Sequence, residues 1–219
     1  MAALKGAFIN LGAGLLGALP NIVVFQFNPE RVSRTPTLAQ PPTRPMGAGA
    51  RDATQQASGP IESYSFTLKL DASDQLAEGN PIAVASGILP ALSALELLMV
   101  PASSMTIDLF GLAGNSPAPY KNPPTRLPTV LFFWGPFRIW PVTVNSLSVT
   151  ELQYDQLLNP IRADINVGLQ VLTSSQIDKD STLANGAYQY SLGVKQVMAA
   201  LNLANAAQLG LSASFSLAL

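Results

Sequence analysis

The chain contains no cysteine and no histidine, and only 11% of its residues are charged. Without cysteine there is no disulfide framework and no thiolate metal site, and redox chemistry says nothing about compartment. Without histidine the commonest general base is missing, together with every triad and zinc site built on it. A net charge of -1 supplies neither a broad basic field for nucleic acid nor a strong acidic one. Soluble domains usually carry about 25% charged residues. A chain that is 48% hydrophobic is therefore expected to have much of its surface covered by partners. These absences leave little chemistry to perform: no enzyme activity, no cofactor and no metal are expected.

What is present is patterned. At 219 residues the chain suits one medium domain with extensions, long enough to bury a core unaided. Residues 1–19 are apolar apart from Lys5 and Asn10, and Leu4, Phe8, Leu11 and Leu15 line one helical face. A packing helix or arm is expected there, with a membrane or secretory segment, or disorder, as the competing readings. Residues 21–27 read as a first strand stopped by Asn28-Pro29, and 31–60 as a long Pro- and Thr-rich loop.

Tyr64, Phe66, Leu68 and Leu70 alternate with polar residues as a half-buried strand. A helix is expected mainly over Pro90–Met99 and a strand over Met105–Leu109. Further strands are expected over 129–134, 137–151 and 161–172. Val194, Val197, Met198 and Leu201 mark an Ala-rich helix running to about Leu209. Leu211 to Leu219 then alternates apolar and small residues as a terminal strand that needs an edge to dock on. The fold class is α+β: an antiparallel β-sandwich or small barrel with one packed helix and extensions at both ends.

Most motif matches dissolve under their geometry. Gly12-Ala-Gly14-Leu-Leu-Gly17 fits a dinucleotide fingerprint, but Pro20 cuts the helix such a loop requires. Asp178-Lys-Asp180-Ser lacks the third ligand and the glycine of a calcium loop. Asp71 and Asp74 suit turn and capping chemistry. Trp134 and Trp140 flank a tight turn, either as sheet-core anchors or as anchors between subunits. Arg162 and Asp164 share the strand face opposite Ile165 and Val167, to pair with each other or with a neighbour.

Four short segments belong together. They are Val24-Phe25-Gln26-Phe27-Asn28-Pro29-Glu30, Phe132-Phe133-Trp134-Gly135, Tyr154-Asp155 and Pro160-Ile161-Arg162-Ala163. In this order, over residues 22–172, they resemble the tube-type domain of contractile injection systems, the phage-tail-like machines. The resemblance implies a division into residues 1–21 (apolar arm or helix), 22–175 (tube-type β domain) and 176–219 (helix-plus-strand extension). It also implies a homohexameric ring joining the central spike and baseplate to the inner tube and initiating tube assembly. The implied partners are the chain itself, inner tube protein, central spike protein, and baseplate wedge and sheath proteins. Assembly would take place in the bacterial cytoplasm, with release alongside the particle; neither nucleic acid nor membrane is an expected partner. Candidate assembly residues are Phe25, Phe27, Asn28, Pro29, Trp134, Gly135, Asp155, Pro160 and Arg162, with Phe215 of the tail. Baseplate members commonly continue into a LysM module, and no Gly-Asp-Thr-Leu-like signature follows residue 172 here. That departure keeps open a cap-side tube terminator, and a rival of another class is a membrane-anchored binding module.

Overall fold

The computed structural model describes residues 4–11, 21–38, 59–100 and 127–208. Among these, seven strands form one sheet: β1 (Ala7–Asn10), β2 (Ile22–Val24), β3 (Val32–Thr37), β4 (Ile61–Asp71), β5 (Val130–Phe133), β6 (Ile139–Tyr154) and β7 (Pro160–Val171). Their spatial order is β2-β1-β5-β6-β7-β4-β3, and every neighbouring pair is antiparallel. Helices α1 (Ser73–Ala77), α2 (Pro81–Ser86) and α3 (Leu89–Glu96) follow β4, and α4 (Thr182–Gln208) follows β7. The fold class is α+β: an antiparallel sheet with one group of helices inserted between β4 and β5 and a long helix after β7.

Side-chain alternation decides which face lies inside. On β4, Tyr64, Phe66, Leu68 and Leu70 are buried while Ser63, Ser65 and Lys69 are exposed. Phe66 pairs with Val167 and Leu68 with Ile165, so β7 turns the same row of side chains inward. Phe132 pairs with both Phe8 and Trp140, which carries that face across β5, β1 and β6.

The sheet curls strongly. Phe66 on β4 and Phe132 on β5 stand three strand spacings apart in order, about 14 Å in a flat sheet. Their rings nevertheless stack at 5.4 Å, and Phe8 lies 6.3 Å from Phe66. One sheet therefore bends around its own aromatic core, instead of two separate sheets packing together. Ile88 together with Leu92 and Leu95 of α3 and Leu98 of the following turn joins that core. The corner between α2 and α3 touches the start of β7, where Ile88 N–H donates to the Pro160 carbonyl at 2.9 Å. Gly87 makes this approach possible: its φ is +57°, and a Cβ would lie 2.1 Å from that carbonyl oxygen.

Several expectations need correction. The helix expected from Leu4, Phe8, Leu11 and Leu15 is not formed around Phe8. Ala7–Asn10 is instead strand β1, inserted between β2 and β5 with Phe8 fully buried. Partners on both sides satisfy its backbone, and a spacing of four residues suits strand as well as helix when only one large residue is decisive. The segment before residue 22 thus supplies one strand of the sheet. Within the expected loop 31–60, Val32–Thr37 is the edge strand β3, paired with β4 despite Pro36, a residue an edge tolerates. More than one helix packs on the sheet, since α3 enters the core and α4 docks separately on β6. Residues 12–17, 105–109 and 211–219 lie outside the described residues, and Phe215 with them.

Candidate functional site

The two halves of the sequence signature meet at a seam beside β4. β3 pairs with β4 only from Ile61 to Phe66. Further along, the Gln26 side chain takes the place of a strand: its Nε2 donates to the Asp71 carbonyl at 2.5 Å and its Oε1 accepts from Asp71 N–H at 2.9 Å. The Asp71 carboxylate receives Arg162 from β7 at 2.6 Å and Ser73 N–H at 2.8 Å. Partial burial pushes the Asp71 carboxyl up, but hydrogen bonds from Ser73 and Arg162 outweigh it and hold the group below the usual carboxylate range. Arg162 thus pairs with Asp71 across strands, and this is the partner found for it in place of Asp164.

Asn28 clamps the chain before β1, accepting from Gly6 N–H at 2.9 Å and donating to the Leu4 carbonyl at 2.8 Å. Phe25 is buried against Phe8 at 5.0 Å and against Trp134 at 6.3 Å. Trp134 is half-buried and stacks on Phe132 at 6.1 Å, a core-anchoring position. The turn after it closes through Trp134 N–H to the Arg138 carbonyl at 2.9 Å, and Gly135 adopts φ +82°, which disfavours a side chain there. Trp140 is buried, with its ring 6.2 Å from Tyr188 of α4. An open groove of about 1150 Å³ runs past the seam, lined by Phe27, Pro29, Lys69, Leu152, Arg162 and Asp164 among others.

Asp155 and Pro160 act elsewhere, at the β6–β7 turn. The Asp155 carboxylate accepts from Leu157 N–H, Asn159 N–H and Asn159 Nδ2, at 2.8, 2.8 and 2.9 Å. Hydrogen bonds from Asn159 hold this carboxyl below its ordinary range. Leu157 and Leu158 stand at the tip, 77% and 78% exposed, and Leu158 has φ +65°.

At the other end of β6, α4 supplies what β7 no longer reaches. The Ser191 hydroxyl accepts from Ile139 N–H at 3.1 Å and donates to the Ile139 carbonyl at 2.6 Å. Lys195 donates to Glu62 and lies 4.2 Å over the Trp140 ring, while Arg34 of β3 reaches Glu62 at 3.0 Å. Burial pushes the Glu62 carboxyl up, but hydrogen bonds from Lys195 and Arg34 outweigh it and leave it below the usual range. Sequence reasoning missed Gln26, Glu62 and Ser191. A signal existed for Glu62, since it precedes Tyr64, Phe66, Leu68 and Leu70 at the inward parity, where a charge requires a partner.

Exposed apolar side chains run along α4 on both sides of Lys195, with Leu183 and Leu192 before it. Val197, Leu201 and Leu203 are exposed, and no charged side chain follows Lys195 to the end of the chain. Among the described residues no group of acidic side chains is placed to hold a metal, and no helix is long and apolar enough to cross a membrane. No protein-family model matches the chain, and no curated protein matches it.

Proposed function

We propose that the chain is a structural subunit of a contractile injection particle, forming a ring that joins the central spike to the inner tube and starts the tube's first layer. The observation that carries this reading is the seam. Phe25-Gln26-Phe27-Asn28-Pro29 and Arg162-Ala163 stand far apart in sequence, yet they are adjacent in space and hold one another through Asp71. Such mutual support is what a fold-defining signature requires, and the signature is the one that resembles tube domains.

The role is mechanical. A curled sheet with exposed apolar surface offers a rigid wall element, and its low charge suits burial between neighbours. In this reading the ring presents the tube's symmetry to the first tube layer and a seat to the spike. Electron microscopy of the particle tests the proposal: six copies in one layer are expected. A protein that stays monomeric with every candidate partner, or a stable three-copy ring, overturns it.

A further inference from the structure

We infer that the groove beside the seam is a docking site for an extended segment of a partner protein, one that carries an acidic and a basic residue on the same face. The assignment stands apart from the ring reading, because it concerns what a single chain binds.

Charge sets this surface apart. Only 11% of the chain is charged, yet Glu30, Arg31, Lys69, Asp71, Arg162 and Asp164 all line the one groove. Four of them cancel in pairs, Lys69 with Glu30 at 3.2 Å and Arg162 with Asp71 at 2.6 Å. Arg31 and Asp164 are left over, their side chains without an ion pair or hydrogen bond among the described residues. Asp164 stands opposite Lys69 in the β4–β7 register, but Lys69 reaches away to Glu30. A half-buried carboxylate is thus kept without a cation, giving up part of its hydration for no gain in folding. One unmatched cation and one unmatched anion in the same groove call for a ligand that carries both charges.

The backbone beside these charges points to a peptide as that ligand. β3 stops pairing at Val32, opposite Phe66, and Phe27 to Arg31 form the far wall of the groove instead of pairing with β4. Asp71 turns its N–H and carbonyl toward this gap, where the Gln26 side chain takes both. Backbone direction alternates along a strand, so Lys69 turns its own N–H and carbonyl into the same gap, with no backbone partner there among the described residues. A donor and an acceptor of one residue, turned outward together, match one residue of an added extended chain, as Gln26 matches them one step along. Continuing the register places Arg31 opposite Thr67, two strand spacings and two residues from Asp164, roughly 12 Å in a flat sheet. An acidic and a basic residue four positions apart on an extended segment share a face and span about that distance. Exposed Phe27 and Leu152 add apolar contacts from the far wall and from β6. A second copy cannot fill the groove with this same surface, because two hollows do not fill one another, whereas a projecting segment does.

Fluorescence polarisation on the full-length chain tests the site with a labelled peptide, Thr-Glu-Val-Thr-Thr-Lys-Thr, and a control with glutamine at both charged positions. The charged peptide is expected to bind, and to bind less as salt rises, whereas the control should bind about fivefold more weakly or worse. Arg31→Gln and Asp164→Asn should each weaken the charged peptide by about two- to fivefold. Both variants should melt like the parent, since neither side chain belongs to the core. Asp164→Lys supplies a gain of function: preference should pass to Thr-Glu-Val-Thr-Thr-Glu-Thr, in which an acidic residue meets each cation. No binding of the charged peptide at about 1 mM, equal binding of the glutamine control, or an unchanged preference in Asp164→Lys overturns the site. A dimer that the charged peptide dissociates assigns the groove to a second copy and overturns the partner. None of these outcomes depends on whether rings form, so the two proposals fail separately.

Discussion

The two ends of β6 are built on opposite principles. At the Ile139 end, polar groups are matched within the chain: Ser191 takes both the N–H and the carbonyl of Ile139, and Glu62, only 7% exposed at its side chain, is shared by Lys195 and Arg34. At the Tyr154 end, Asp155 and Asn159 brace a turn that leaves Leu157 and Leu158 in solvent, and Pro160 and Arg162 tie the strands behind it to Ile88 and Asp71. One end is sealed by α4, whereas the other projects two leucines beyond the groups that brace it. Substitutions should therefore differ in their effect on stability according to the end they touch, and the core between the ends should be the most sensitive region of all.

Phe132 shows the largest expected effect. It is fully buried and meets Phe8, Tyr64, Phe66 and Trp134 within 6.1 Å between ring centroids. Phe132→Ala removes the ring at the point where the curled sheet meets itself, at a cost of about 3 to 5 kcal/mol. Chemical denaturation should show a folded baseline shortened or lost. A variant as stable as the parent would mean that the sheet is held closed from elsewhere, and Gln26 at the seam would be the next group to test.

At the α4 end, Ser191→Ala leaves the Ile139 N–H and carbonyl without this partner in a half-buried setting. The expected loss is about 1 to 3 kcal/mol. Hydrogen exchange sharpens this: the Ile139 amide should lose protection, while the amides of β4 and β7 keep theirs unless global stability becomes limiting.

Glu62 adds a pH signature to the same end. Its carboxyl is held below the ordinary glutamate value of 4.5 in the folded chain, because hydrogen bonds from Lys195 and Arg34 outweigh burial. The stability it contributes is then fully present above that value and is lost as pH falls through the lowered folded value. Glu62→Gln should lower stability near neutral pH, where it removes a charge facing Lys195 and Arg34, and should shrink the further loss on acidification. Asp71 is also depressed and keeps part of the acid dependence in either chain. An acid profile unchanged in slope by Glu62→Gln would place the dependence wholly outside this cluster.

The sequence made some elements easy to read and hid others for physical reasons. β4 and β7 were legible because Tyr64 to Leu70 and Ile165 to Val171 alternate without interruption, and one buried face writes that pattern directly. β1 was not, because only Phe8 dominates its four residues and the flanking leucines suggest a helix. β3 was hidden by its edge position: its side chains are largely exposed, so no apolar rhythm is imposed on Val32–Thr37. The seam was legible as motif residues but not as chemistry, since the decisive group is Gln26, whose side chain imitates a strand. The docking of α4 depended on one serine and one lysine meeting groups on distant strands, and pairings of that kind leave no local trace.

The smallest expected effect lies at the tip, and its sign is the informative part. Leu158 adopts φ +65°, a region that costs an L-residue with a bulky side chain roughly 1 kcal/mol and costs glycine almost nothing. Its side chain is 78% exposed, so replacing it removes little packing. Glycine also gives the unfolded chain more freedom, which offsets part of the relief. Leu158→Gly should therefore leave stability unchanged or raise it by up to about 1 kcal/mol, opposite in sign to the Phe132 and Ser191 substitutions. A fall in melting temperature would show that Leu158 supports the fold after all, and the contrast between the two ends of β6 would fail at its weaker end.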